Sequence, residues 1–428
     1  MGTRRDLYKD GVDFTTLALQ SPDFAKYLKS NNQLDFTDPN AVRQLTVSLL
    51  QRDFGLKVYI PEARLCPPVP NRLNYIIWLQ DLLDTTGDEY RDSYDHDRVV
   101  TGLDIGTGCC SIYPLLGTAL RMNWNFVASD IDDENVQTAT RTVKENGLDS
   151  RIRVVKTNQN DSLFLLEGIP VIEQFDFTMC NPPFYTSRED MVNSAEEKER
   201  PPFSGCTGAE IEMVTPGGEI SFVSRMIEES LQHREKIQWY TSMLGKLSSV
   251  SVLVERLIEL ENKNYAVTEF VQGNKTRRWA IAWSWADLRP TVAVARGISN
   301  FPKHLLPFPS EYAFDISNSS IDSTSTSIDI ELSALHILWT WRKNLATGVG
   351  FAAENVWSRQ YRRKMKLSVD QKKPNIDEST AVLGFKLQLK MDPIEEKTVR
   401  VVVRWLKGTD SVLFESFCGM VKRKLEGR

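Results

Sequence analysis

Gly102-Leu103-Asp104-Ile105-Gly106-Thr107-Gly108-Cys109 is the stretch on which the fold turns. An apolar run over 99–105 leads into it and predicts a buried strand. Glycines at 106 and 108 let the backbone turn sharply and approach a ligand without side-chain clash. A second apolar run, 125–129, ends at Asp130, 24 residues beyond Gly106. At about that spacing an acid accepts hydrogen bonds from ribose hydroxyls. Position 111 is Ser, where a dinucleotide site carries a third Gly. A ligand with ribose and adenine but no phosphate suits this pattern better, and S-adenosylmethionine fits that description.

Outward from this stretch, strand and helix patterns alternate. Strands are predicted at 151–156, 175–180 and 237–244, with helices at 133–146 and 219–235. Alternation of this kind argues for an α/β fold with a mostly parallel sheet covered on both faces. Strands at 265–272 and 278–285, joined by a short turn, predict a closing antiparallel hairpin. A seven-stranded, Rossmann-like class I methyltransferase sheet has this plan. Residues 1–98 read as a helical extension, with helices at 38–50 and 72–83 and a β-like stretch at 57–61.

The second informative stretch is Asn181-Pro182-Pro183-Phe184, at the end of the predicted strand 175–180. Ligands of open α/β sheets bind outside the carboxyl ends of the strands, which puts this tetrapeptide opposite the glycine loop. Two prolines remove two backbone donors and leave acceptors, the Asn181 side-chain oxygen and the Pro182 carbonyl. Two acceptors suit a planar amine with two N–H donors, and Phe184 suits stacking on a ring. The tetrapeptide by itself leaves a nucleobase amine and a glutamine side-chain amide both open.

Charge separates along the chain. Residues 331–428 carry 19 Lys and Arg against 11 Asp and Glu, a balance of +8, so −13 of the net −5 falls in the first 330. A basic end on an acidic body points to a polyanion. Eight of the eleven residues 317–327 are Ser or Thr, which reads as part of a linker. The expected organisation is an N-terminal extension and RNA-binding arm at 1–98, a methyltransferase domain at 99–288, a linker at 289–329 and a small basic α+β domain at 330–428. Six cysteines without a Cys-x-x-Cys pair argue against a disulfide scaffold or a metal site. No apolar run approaches a membrane span, and the first residues lack a secretory stretch.

The sequence resembles the U6 small nuclear RNA adenine-N6 methyltransferase family, that of methyltransferase-like protein sixteen. The resemblance rests on residues 102–108, Ile112-Tyr-Pro-Leu-Leu-Gly, Met179-Cys-Asn-Pro-Pro-Phe, Trp239-Tyr-Thr-Ser-Met-Leu-Gly-Lys, Thr268-Glu-Phe-Val-Gln-Gly and Arg278-Trp-Ala-Ile-Ala-Trp-Ser. It covers about 8–288, with the bacterial large-subunit ribosomal RNA adenine-N6 methyltransferases as more distant relatives. The resemblance implies methyl transfer from S-adenosylmethionine to an adenosine in U6 RNA, with structured messenger RNA hairpins as further substrates. It implies cofactor contacts from Arg72, Gly106, Cys110, Asp130, Asp161 and Asn181, where Cys110 and Asp161 replace the usual Ser and Thr and Asp130 replaces Glu.

For RNA, it implies Arg4, Arg5 and Lys9 in a basic arm and Arg200 in the loop after the tetrapeptide. It adds Lys246, Lys275, Arg277 and Arg278 along a groove. The C-terminal region resembles a kinase-associated-1-like RNA-binding domain. There Trp357-Ser-Arg-Gln-Tyr-Arg-Arg-Lys interleaves aromatic and basic residues, as an RNA surface would, which nominates Arg362 and Arg363. Nuclear action follows from a U6 substrate, with cytoplasmic presence left open; Lys422-Arg423-Lys424 is a short basic address. The rival readings are a ribosomal RNA methyltransferase of the same chemistry, a non-catalytic RNA-binding factor on a retained fold, and a protein-glutamine methyltransferase.

Overall fold

The computed structural model describes residues 7–166, 173–191, 208–272, 276–367, 377–392 and 397–427. The chain divides into two compact units. The first holds residues 1–81, 94–286 and 297–306; the second holds 82–93, 287–296 and 307–428.

The first unit is built on β1 (Val100–Ile105), β2 (Trp124–Asp130), β3 (Ile152–Lys156), β4 (Phe175–Cys180), β5 (Ile237–Leu244), β6 (Tyr265–Gln272) and β7 (Thr276–Trp283). A two-residue edge, β8 (Arg296–Gly297), makes the sheet eight-stranded, in the order β3-β2-β1-β4-β5-β7-β6-β8. β1 to β5 run parallel, and β7 is antiparallel to both its neighbours. β1, β2, β4 and β5 are buried almost without interruption, as central strands must be when helices cover both faces. Val223 and Ile227 of the helix Gly218–His233, and Val250, Leu253 and Leu257 of Leu247–Glu259, pack with Leu103, Ile237, Tyr240 and Trp283. Each such side chain contributes about 1.5–3 kcal/mol through removal from water.

Before the sheet come the helices Pro39–Phe54 and Val69–Asp84. Asp38 caps the first by accepting from the Asn40 amide at 2.9 Å, and Gly55 ends it at φ 71°. Residues 57–61 form no strand, contrary to expectation. With Pro at 61 and no partner strand, that run had no ladder to join.

The second unit is an antiparallel sheet of β9 (Glu311–Ser317), β10 (Leu338–Arg342), β11 (Thr347–Ala352), β12 (Leu383–Met391) and β13 (Thr398–Lys407), ordered β10-β11-β12-β13-β9. Two helices, Ile321–Ser333 and Ser411–Leu425, pack into its core. Phe385 meets Phe417 at 4.0 Å between ring centroids, and Trp405 stacks on Phe414 at 5.2 Å.

The expected linker at 289–329 is corrected here. It contributes β9, and its Ser/Thr run enters the helix Ile321–Ser333. Ser320 caps that helix, accepting from the Ser323 amide at 3.2 Å. Thr326 and Ser327 donate to the carbonyls four residues back, which keeps their hydroxyls satisfied in helix. The apolar residues that bury its face, Ile328 and Leu332, lie just past the run. The expected N-terminal boundary also moves. Residues 82–93 belong to the second unit, where Asp92 pairs with Arg404 and, at 3.0 Å, with Lys386.

Candidate functional site

The sheet reverses its direction of growth between β1 and β4, and the site lies at the carboxyl ends of the strands there. A cleft of about 380 Å³ is lined by the glycine loop, the ends of β2 and β4, and residues 157–163 after β3. That volume is ordinary for a small-molecule site.

The glycine loop takes its shape from backbone necessity. Gly106 and Gly108 sit at φ 74° and 68°, the left-handed region that a side chain makes costly. The amides of Gly106 and Thr107 both donate to the Ser129 carbonyl, at 3.0 and 2.9 Å. The Gly108 amide donates to Asp130 Oδ2 at 2.8 Å, and the Asp132 amide to Oδ1 at 2.9 Å. Burial nevertheless raises the Asp130 carboxyl above its usual range. Beneath the loop, Asp104 is fully buried, and burial pushes its carboxyl up to about 7 despite the Thr107 hydroxyl donating at 2.7 Å.

On the facing side, β4 delivers Cys180, then Asn181 and Pro183 to the cleft wall. Arg72 Nη1, from the helix Val69–Asp84, donates to Asn181 Oδ1 and to the Tyr113 hydroxyl, each at 2.9 Å. Met243 Sδ lies 3.2 Å from the same nitrogen. Arg72 is buried and lines the cleft, and its Nε has no partner. A buried cation with an unused donor suits an anionic group of a ligand.

Pro182 is buried and Phe184 half-buried, and neither is among the cleft-lining residues. The Arg278 guanidinium stands 5.8 Å from its ring centroid. A Cβ on Gly245 would come within 3.0 Å of that ring. Glu219 holds this corner by accepting from the Gly245 and Lys246 amides, at 2.7 and 3.2 Å. The chain then returns beside the tetrapeptide, where the Tyr185 amide donates to the Met213 carbonyl and the Thr215 amide to the Tyr185 carbonyl, both at 3.0 Å.

The structure places the expected cofactor residues Arg72, Gly106, Cys110, Asp130, Asp161 and Asn181 around one cleft. Cys110 is buried, whereas Asp161 is exposed and caps its own turn, accepting from the Asn158 amide at 2.8 Å. Of the expected RNA contacts, Arg278 reaches the tetrapeptide. Arg277 is exposed and paired with Glu269 at 3.2 Å, and Lys246 and Lys9 are exposed. Arg4, Arg5, Arg200 and Lys275 lie outside the described residues. Arg362 and Arg363 are exposed on the helix Arg359–Leu367.

The aromatic half of that last reading is corrected. Trp357 and Tyr361 are buried in the second unit's core, bonded to Ser416 at 3.1 Å and His336 at 2.9 Å, and are not open to bases. Sequence reasoning missed Tyr113, Met243, Asn135 and Glu212, all brought to the site or to Arg72 by folding alone. Tyr113 and Met243 lie inside motifs that carry the family resemblance, but nothing there assigns them a role; Asn135 and Glu212 lie in no such motif.

A Rossmann-like sheet with a two-glycine loop that lacks the third glycine of a dinucleotide site, a distal acid and Asn-Pro-Pro-Phe at one cleft defines a class I methyltransferase acting on a planar amine. Comparison with known proteins narrows this further. A family model described as RNA methyltransferase matches residues 3–287, and the chain belongs to that family. The U6 small nuclear RNA (adenine-(43)-N(6))-methyltransferase of Schizosaccharomyces pombe is 35% identical over 396 residues, 92% of this chain and 96% of that one. The RNA N(6)-adenosine-methyltransferases METTL16 of mouse and human are 43% identical over 292 residues, and the match spans about half of their length. The human METTL16 catalytic domain in complex with a MAT2A 3'UTR hairpin superimposes with a TM-score of 0.58 at 41% identity, covering 67% of this chain and 98% of that one. The human METTL16 N-terminal domain in complex with SAH gives 0.54 at 40% identity, covering 67% and 99%.

Proposed function

We propose that the protein transfers a methyl group from S-adenosylmethionine to the exocyclic N6 amine of an adenosine in U6 small nuclear RNA. The observation that carries the chemistry is the placement of Asn181 and Pro183 across one cleft from the glycine loop, with Arg72 fixing the Asn181 oxygen. The choice of RNA rests on the fission-yeast relative, which aligns along nearly its whole length.

Asp130 is placed to take the ribose hydroxyls, and the unpartnered Arg72 Nε to take the cofactor's carboxylate. When bound, the cofactor supplies an electrophilic methyl group on sulfur. This chain's own residues prepare the amine. An adenine amine is a poor nucleophile because its lone pair is delocalised into the ring. An amide oxygen accepts two hydrogen bonds, and Arg72 uses one on Asn181. The other, with the Pro182 carbonyl, holds the two amine protons and turns the nitrogen lone pair toward the methyl group. The gain is orientation and electrostatics, and no base needs to act before attack. The adenosine must be unpaired or flipped to reach this cleft.

Action on U6 RNA supports a nuclear site of action. Arg278 beside the tetrapeptide and the exposed Lys9, Lys246 and Arg277 support a phosphate track, with Arg362 and Arg363 as a second contact on the C-terminal unit. Messenger RNA hairpins are further substrates of the same kind, by likeness to the human relative.

The test is tritiated-methyl transfer to U6 RNA and to U6 RNA with the target adenosine replaced by guanosine. Label on the first alone is expected; equal label on both would remove U6 adenosine as the substrate.

A further inference from the structure

Glu212 is a carboxylate at the cleft that the sequence did not nominate. Glu212 lies in the segment that returns after the tetrapeptide, in the short helix Glu210–Met213. Ile211, Thr215 and Pro216 of the same segment line the cleft with it. Its Oε2 accepts from the Leu65 amide and from the Ala209 amide, each at 2.9 Å. Its Oε1 accepts from Asn135 Nδ2 at 3.2 Å. The same Asn135 nitrogen reaches Asp130 Oδ1 and Oδ2 at 3.4 and 3.5 Å. Asn135 itself is buried in the wall of the cleft, and its Oδ1 has no partner.

These bonds form a continuous chain. Leu65 and Ala209 donate to Glu212, Asn135 donates to Glu212 and Asp130, and Gly108 and Asp132 donate to Asp130. An NH2 group has two protons, so one asparagine can serve two carboxylates. Without it, two acids would face each other in a buried place. Burial already raises both carboxyls above the usual range, with Arg64 opposing the rise at Glu212.

We propose that Glu212 is a positioning residue of the cofactor site, acting through Asn135 to hold Asp130 ready for the ribose and fastening the 208–216 segment as the wall beside it. The proposal rests on the S-adenosylmethionine reading of the cleft. Glu212 contributes affinity for the adenosyl half of the ligand, and it does so from a segment whose backbone is hydrogen-bonded to Tyr185, the residue after the tetrapeptide.

The chemistry suggests a selective cut. Glu212→Gln keeps an oxygen for the two backbone amides but presents an NH2 to Asn135. Asn135 then faces donor against donor, and turning its amide to cure this withdraws its donor from Asp130. Asn135→Ala severs the same link from the other end. The experiment is calorimetric titration of S-adenosylhomocysteine into the full chain, without RNA, for wild type, E212Q, N135A and the double variant. Each is measured at a temperature where its unliganded thermal unfolding shows it folded. Each single change is expected to weaken binding about ten-fold, and the pair little more than either alone, because both cut one path. The KM for the cofactor should rise by the same factor while kcat at saturating cofactor falls less. E212Q binding within two-fold of wild type, or losses that multiply in the double variant, would overturn the proposal. Wild type failing to bind S-adenosylhomocysteine would instead remove the cofactor reading itself.

Discussion

Arg72 Nη1 donates to Asn181 Oδ1 at 2.9 Å, joining residues 109 apart in sequence. An asparagine amide can turn by half a rotation and exchange oxygen for nitrogen. A buried guanidinium can only donate, so it fixes the oxygen on its own side and with it the acceptor geometry of the tetrapeptide. Asn181→Ala is expected to lower kcat by about 10²–10³-fold, the usual loss for one preorganised polar contact, with RNA affinity within a few-fold of wild type. Arg72→Lys keeps the charge but not the planar donor set, and should lower kcat about ten-fold or more and also weaken the cofactor. Single-turnover methyl transfer and RNA binding by anisotropy check both. Wild-type turnover by Asn181→Ala would sink the mechanism.

Asp104 gives stability a pH dependence of defined sign. Its carboxyl titrates at about 7 in the folded protein against 3.8 as the ordinary value. A raised folded value means the native state holds a proton that the unfolded chain releases. Its contribution is therefore full below the ordinary range and is lost as pH rises through about 7. In Asp104→Asn the Thr107 hydroxyl still finds an acceptor, and the titration is gone. Between pH 5 and 8 the unfolding free energy of the variant should gain on wild type by roughly 3 kcal/mol. Urea unfolding of both proteins at the two pH values reads this directly, and a pH-independent difference would contradict it.

Gly245 is where activity and stability should separate. A methyl group there would meet Phe184 at 3.0 Å and Glu219 Oε2 at 3.3 Å. Glu219 is tied to three donors and is buried, whereas Phe184 is only half-buried. The ring is thus the part that yields. Gly245→Ala is expected to cut kcat about ten-fold while costing about 1 kcal/mol or less in stability. Equal, small effects on both would mean that the Phe184 position is not needed for turnover.

The helix Arg359–Leu367 offers charge without stacking. Arg362 and Arg363 are exposed, and the neighbouring Trp357 and Tyr361 are buried. Replacing both arginines with Ala should weaken U6 RNA binding and reduce the slope of log affinity against log salt by about 1–2, as for lost phosphate contacts. It should leave preference among sequences as it was. A salt slope equal to that of wild type would remove this helix from the interface.

The loop Gly102 to Cys109 and the tetrapeptide Asn181 to Phe184 could be read directly, because each is a local pattern with a local cause. Positive φ demands glycine, prolines strip donors, and uninterrupted apolar runs mark buried parallel strands. The helix Ile321–Ser333 could not be read, because its Ser/Thr half lies on one side of the window and its buried Ile328 and Leu332 on the other. Trp357 and Tyr361 misled for a related reason: sequence spacing shows that aromatics alternate with arginines, but not which of them the core takes.

The sequence by itself determined the sheet plan, the glycine loop and the amine-binding tetrapeptide. Tertiary structure alone decided how they are held: Arg72 on Asn181, Glu219 under Gly245, and Asn135 between Asp130 and Glu212. The physical reason is range. A turn or a strand is set by neighbours in the chain, whereas a buried polar side chain is set by whichever donor or acceptor folding brings within 3.5 Å, at separations of 109 residues for Arg72 and Asn181 and 147 for Leu65 and Glu212.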